Sequence, residues 1–68
     1  MATTLTVNGK PVELAGDIAL PDFLAGRGIN PRTIAVARNG EVIERGTYGE
    51  VVLRAGDVIE IVRMIGGG

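Results

Sequence analysis

The sequence predicts an α+β fold, a mixed sheet of four to five strands covered on one face by one short helix. Three observations carry this. Short segments of period-2 apolar alternation recur between Asn-Gly and Gly-Asp breaks, which is the pattern of strands joined by tight turns. A single stretch spaces its apolar residues at i, i+3 and i+4, the signature of a helix with one buried face. The chain has only 68 residues, with Phe23 and Tyr48 as its aromatic side chains, so one small core must be assembled from Val, Ile, Leu and Ala.

Taken in order, Thr4 to Val7 alternates, Asn8-Gly9 follows, and Lys10 to Leu14 alternates again. This predicts a β-hairpin, with glycine accepting the positive φ of the turn. Pro11 lacks an N–H and suits the start or outer edge of the second strand. Ala15-Gly16-Asp17 breaks the pattern, and Leu20, Phe23 and Leu24 then mark a helix. Pro21 is tolerated in a first turn, so the helix is expected to begin between Ile18 and Leu20 and run about nine residues. Gly28 serves as its left-handed terminus, Ile29 packs back on the last turn, and Asn30-Pro31 prevents continuation.

Thr33 to Arg38 carries apolar residues on both sides, which predicts an inner strand. Asn39-Gly40 closes a second hairpin onto Val42 and Ile43. Residues 45–50 read as irregular, Val51 to Leu53 as a short strand, 54–57 as a turn, and Val58 to Ile65 as the longest strand. In that strand Ile59 and Ile61 are the inward pair and Glu60 sets the opposite parity outward. Hairpin, crossover helix and a last long strand inserted beside the first make a β-grasp arrangement, which leaves the second sheet face open. Residues 1–65 are expected to form this domain and 66–68 a flexible tail.

Composition narrows the function. Net charge is −1, and the arginines stand singly among acidic residues, so no basic stripe exists to follow a phosphate backbone and nucleic acid is excluded as a partner. No apolar run reaches the length of a membrane span, and no charged-then-apolar leader follows Met1; the expected location is the cytoplasm. His, Cys, Ser and Trp are absent altogether. That removes the usual nucleophiles, the commonest general acid–base group and thiolate metal or redox chemistry. The eight carboxylates read as solvated charges, because a domain this small offers no cleft to separate their pKa values. The chain is therefore expected not to be an enzyme in its own right.

Gly26-Arg27-Gly28 resembles the beginning of a dinucleotide-binding loop, yet Pro31 stands where the third glycine belongs and the segment ends a helix instead of opening one. It reads as a helix stop. Val62 and Met64 share the open-face parity with Glu60, and such exposed apolar residues suggest a partner-docking face; the plain alternative is that the 45–50 segment covers them. The chain closes on Gly66-Gly67-Gly68. A terminal glycine run is either a frayed end or an added linker, or it exploits the missing Cβ to pass through a channel closed to side chains. Three extended residues reach about 10 Å and carry one reactive group, the α-carboxylate of Gly68.

The helix segment ALPDFLA, the strand and turn IAVARNGEVI, Tyr48, and above all Gly56-Asp57-x-Ile59-Glu60-Ile61-Val62 leading to the triple glycine resemble the ThiS family, the ubiquitin-like β-grasp sulfur carriers of thiamine biosynthesis. The likeness covers nearly the whole chain; the short helix with Pro21 is a minor departure. It implies that Gly68 is the modified residue. An E1-like adenylating enzyme would activate its carboxylate with ATP and Mg, sulfur delivered through a cysteine desulfurase would convert it to a thiocarboxylate (a 1-thioglycine), and thiazole synthase would receive that sulfur. Gly66 and Gly67 would thread the partner's channel while Val62 and Met64 dock the body. The resemblance implies no cofactor bound by this chain and a monomer when free. Carriers for molybdopterin, cysteine synthesis or tRNA thiolation share the fold, although Met64-Ile65 before three glycines fits the thiamine carrier better. An adaptor of ubiquitin-like fold with inert glycines is the alternative of a different class.

Overall fold

Each of the two Asn-Gly dipeptides sits in left-handed backbone geometry, Asn8 and Asn39 both at φ 52°, Gly9 at 81° and Gly40 at 88°. Asparagine and glycine are the residues that enter this region most readily, so each pair closes a two-residue hairpin loop of the hand that matches strand twist. The first joins β1 (Thr3–Val7) to β2 (Lys10–Leu14) and the second joins β4 (Ile34–Arg38) to β5 (Glu41–Val42). The computed structural model describes residues 2–64; Met1, Ile65 and the three terminal glycines lie outside the described residues, and with them the expected tail and the last position of the long strand.

The sheet order is β2-β1-β7-β4-β5, with β7 (Val58–Arg63) in the middle. β7 runs parallel to β1 and antiparallel to β4, so the final strand enters beside the first as the β-grasp order requires. Helix α1 (Leu20–Gly26) crosses one face. Its end is a Schellman motif: Ile29 N–H donates to Leu24 O at 2.9 Å and Gly28 N–H to Ala25 O at 3.1 Å, with Gly28 at φ 70°. Leu20, Phe23 and Leu24 from α1 meet Leu5, Val7, Ile34, Val36 and Ile59 from the sheet to make the core.

Three expectations need correction. The helix has seven residues, not nine, because Ile18–Ala19 forms a short strand, β3, paired antiparallel with β6 (Val52–Leu53) in a second small sheet. Val51 O accepts from Leu20 N–H at 2.8 Å, which satisfies the first helix donor without a capping side chain; Pro21 removes another donor. The 45–50 segment is not irregular but a 3-10 helix, and it inserts Tyr48 into the core beside α1. A lone Tyr among polar and glycine neighbours carries no periodicity, so burial on this side was invisible in the sequence.

The third correction concerns the acids, for Asp57 is buried. Its carboxylate accepts from Arg54 N–H at 2.9 Å and Asn39 Nδ2 at 3.3 Å and pairs with Arg38 at 3.1 Å. Burial by itself raises its pKa, but the Arg54 N–H, the Asn39 amide and the Arg38 charge together outweigh burial and hold it below the usual carboxylate value. A depressed folded-state pKa contributes stability that is present above the unfolded value near pH ~4 and is lost as pH falls through the folded one. Asp57→Asn should therefore cost about 1–3 kcal/mol at neutral pH, because the amide keeps one acceptor for Arg54 N–H but turns an NH2 toward the Asn39 donor and removes the charge that Arg38 faces. Denaturant titrations should show the parent losing stability as pH falls below about 4, with a flatter profile for the variant; parallel profiles would contradict the assignment.

Candidate functional site

The face of the sheet turned away from α1 is built by strand alternation. On β7 the side chains of Ile59 and Ile61 turn toward the helix, and those of Val58, Glu60 and Val62 turn outward. The register extends this face across its neighbours: Val62 stands opposite Ala35, Glu60 opposite Ala37, and Val58 opposite Thr6. Ala37 in turn stands opposite Val42 on β5. Directly opposed residues project to the same side, so Val42, Ala37, Ala35, Val62 and Val58 form an apolar field broken by Glu60.

The exposures confirm the parity and leave Val62 and Met64 uncovered. Ile59 is 0% exposed, whereas Val62 is 61% and Met64 54% exposed. The 45–50 segment does not cover them; it packs against α1 on the opposite side. Val42, at 78%, and Val58, at 48%, join the exposed apolar group; Val42 sits in a two-residue strand whose alternation has no visible phase, whereas Val58 shares the outward parity of Glu60. Only the partner register of β5, a tertiary fact, puts Val42 on this face.

The strand that carries Val62 is held at both ends by asparagine carboxamides. At its start, Asn39 N–H donates to Val58 O at 2.7 Å and Asn39 Oδ1 accepts from Val58 N–H at 2.9 Å. Near its end, Asn8 Oδ1 accepts from Ile61 N–H at 2.8 Å while Asn8 Nδ2 donates to Ile61 O at 3.2 Å. On the β4 side, Met64 N–H donates to Thr33 O at 2.9 Å, so the chain remains tied to the sheet at the last described residue. The sequence explains both asparagines as turn formers; that each has a free amide donor and acceptor beside its turn was the signal for a second role.

Among the described residues, no three His, Cys, Asp or Glu side chains gather into a metal-binding group, and no helix is long and apolar enough to cross a membrane. Two grooves among the described residues lie elsewhere than the open face. One, of about 400 Å³ and mainly apolar, is lined by Pro21, Leu24, Ile29, Arg45 and Tyr48 on the helix side. The other, of about 370 Å³, is bounded by Asn30, Thr33, Ile61 and Arg63 below the end of β7. Gly66, Gly67 and Gly68, the expected tail and modified residue, lie outside the described residues. The arrangement thus offers a partly apolar platform whose central strand carries Val62 and ends beside Met64, the last described residue.

The model of the ThiS family matches residues 5–68, a span that includes the glycine run. The sulfur carrier protein ThiS of Bacillus subtilis is 42% identical over 65 residues, covering 94% of this chain and 98% of that protein. Two thiazole synthases also match. That of Magnetococcus marinus is 47% identical over 62 residues, and that of Paramagnetospirillum magneticum 34% over 64. They cover 91% and 94% of this chain, which spans only 19% and 20% of their lengths. Among solved structures, the crystal structure of the thiamine biosynthesis protein ThiS from Geobacter metallireducens superposes with a TM-score of 0.86 at 32% identity, covering 97% of this chain and all of that one. With sequence likeness running through the tail and the same ubiquitin-like sheet order beneath it, the chain belongs to the ThiS family.

Proposed function

We propose that this chain is a sulfur carrier for thiazole formation in thiamine biosynthesis, a protein cosubstrate on which partner enzymes act. The observation that carries the reading is the likeness to the Bacillus subtilis carrier over essentially its full length, with the family match extending to Gly68. The acceptor follows from the two longer relatives: each is named a thiazole synthase and contains a segment similar to this chain, which supports that synthase as the partner.

The chemistry is carried by the carboxyl of Gly68. A carboxylate resists sulfur nucleophiles because oxide is a poor leaving group. An adenylating enzyme, using its own ATP and Mg, joins the carboxylate oxygen to the α-phosphorus of ATP and releases pyrophosphate. The terminal sulfur of a persulfide, drawn from cysteine through a desulfurase, attacks the acyl carbon and expels AMP. A thiol then reduces the resulting S–S bond, leaving a thiocarboxylate on Gly68, which is a good nucleophile at neutral pH. Thiazole synthase combines that sulfur with a deoxyxylulose phosphate and a glycine-derived imine. ATP and reducing thiols place the cycle in the cytoplasm. Gly66 and Gly67, without Cβ atoms, fit a channel that excludes side chains. The open face around Val62 and Met64 supplies the docking surface, an apolar centre with a charge at Glu60, as transient interfaces have.

Incubation with the adenylating enzyme, ATP-Mg, a desulfurase, cysteine and a thiol should raise the intact mass by the difference between a sulfur and an oxygen atom. No adenylate and no mass change would defeat the carrier reading and favour an adaptor. Loading followed by transfer to a molybdopterin-type acceptor but not to thiazole synthase would overturn the proposed acceptor. Removal of Gly68 should abolish loading while shifting the melting temperature by no more than about 2 °C, because glycine has no side chain to bury. Val62→Asp should raise the KM of the adenylating enzyme for the carrier about tenfold or more by placing a desolvated charge in the contact, with stability changed by about 0.5 kcal/mol or less. An unchanged KM would remove Val62 from the docking surface.

A further inference from the structure

β7 lies in the middle of the sheet, but its two neighbours accompany it for different distances. The main-chain groups of alternate residues point to opposite sides. Those of Val58 and Met64 face the β4 side, as their bonds to Asn39 and Thr33 show, and those of Ile59 and Ile61 face β1. β4 is in register with β7 from Ile59 through Arg63. β1 is in register only at Thr6–Val58 and Val7–Ile59, because the chain then turns at Asn8-Gly9 to form β2. Asn8 N–H still reaches Ile59 O at 2.9 Å, after which no strand remains to serve Ile61.

The Asn8 side chain takes the place of that missing strand. Its carboxamide is a peptide group in miniature, one acceptor and one donor side by side, and it meets both Ile61 N–H, at 2.8 Å, and Ile61 O, at 3.2 Å. The choice of residue is narrow. Glycine tolerates the φ of 52° at this position but has no side chain, and ionised aspartate offers no donor. The pin joins residues 53 positions apart, the first turn to the last strand. It acts one residue before Val62 and three before the last described residue.

We infer that Asn8 is a positioning residue for loading of Gly68, an inference that rests on the carrier reading proposed above. Val62 and Met64 stay tied to the sheet through β4, so docking does not need the pin. The orientation of the end of β7 does need it, because without Asn8 that end is held along one edge only. Gly68 is four residues beyond Met64 in sequence, a span of at most about 13 Å, and over that length a tilt of about 10° at Met64 amounts to about 2 Å. Displacements of that size lower the rate of a step that depends on aligned reacting atoms, while leaving affinity nearly intact.

The test compares Asn8→Gly with Asn39→Gly. Both keep the left-handed turn and delete a carboxamide that bonds β7, Asn39 doing so at Val58 and Asp57, the end remote from the tail. In Asn8→Gly, NMR-detected exchange of the Ile61 amide should accelerate about tenfold or more relative to amides bonded to β4. With the adenylating enzyme and ATP-Mg, kcat for loading should fall about tenfold with KM changed less than about twofold. Asn39→Gly should load with the parent kcat even though it is destabilised. Unchanged Ile61 exchange, a parental kcat in Asn8→Gly, or an equal loss in Asn39→Gly would each overturn the positioning role. Failure of the unsubstituted chain to load would instead overturn the carrier reading, and this role with it, whereas normal loading of parent and Asn8→Gly alike overturns the role alone.

Discussion

The structure depends on placing the last strand at the centre of the sheet. β7 pairs with β1 of the N-terminal hairpin on one side and with β4 on the other, so the two halves of the main sheet meet on it. Its inward side chains decide the core: Ile59 meets Leu5, Val7, Leu20 and Val36, and all are buried. Because the parallel β1 ends early and the antiparallel β4 does not, the strand would be secured unevenly without further contacts. Asn39 supports its start and Asn8 its end, each using a side-chain amide where main-chain pairing stops.

That central placement also separates a buried face from an exposed one. The helix side is closed by α1 and by the 3-10 segment that brings Tyr48 into the core. Among the described residues no element covers the other side, so residues of outward parity on β7, β4 and β5 are exposed or half-buried although several are apolar. An exposed valine field lowers solubility and contributes little to stability; its retention on a small domain is understandable when a partner covers it.

Much of this was legible from local chemistry. The Asn-Gly dipeptides marked both hairpins, Gly28 with Ile29 marked the helix terminus, and the parity of Ile59, Glu60 and Val62 separated core from open face. These features are set by one residue's φ preference or by alternation along one strand, and neither requires knowledge of a neighbour. The β3–β6 pair was not legible, because a two-residue strand has no period and forms only where another segment happens to present its backbone. Burial of Asp57 was likewise hidden: its charge is compatible with the interior only through Arg54 N–H, Asn39 and Arg38, which come from two separate stretches.

By itself, then, the sequence determined the hairpins, the helix, the inward and outward faces of the last strand, and a glycine ending with no side chains to obstruct it. Tertiary structure alone decided which strands lie side by side, and with that the extension of the open face to Val42 and the meeting of Asn8 with Ile61 across 53 positions. The physical reason is one of range. Backbone preference and alternation act within a few residues, whereas sheet register is chosen by the whole core at once, and only after that choice does a carboxamide at the first turn find a peptide group left without a partner.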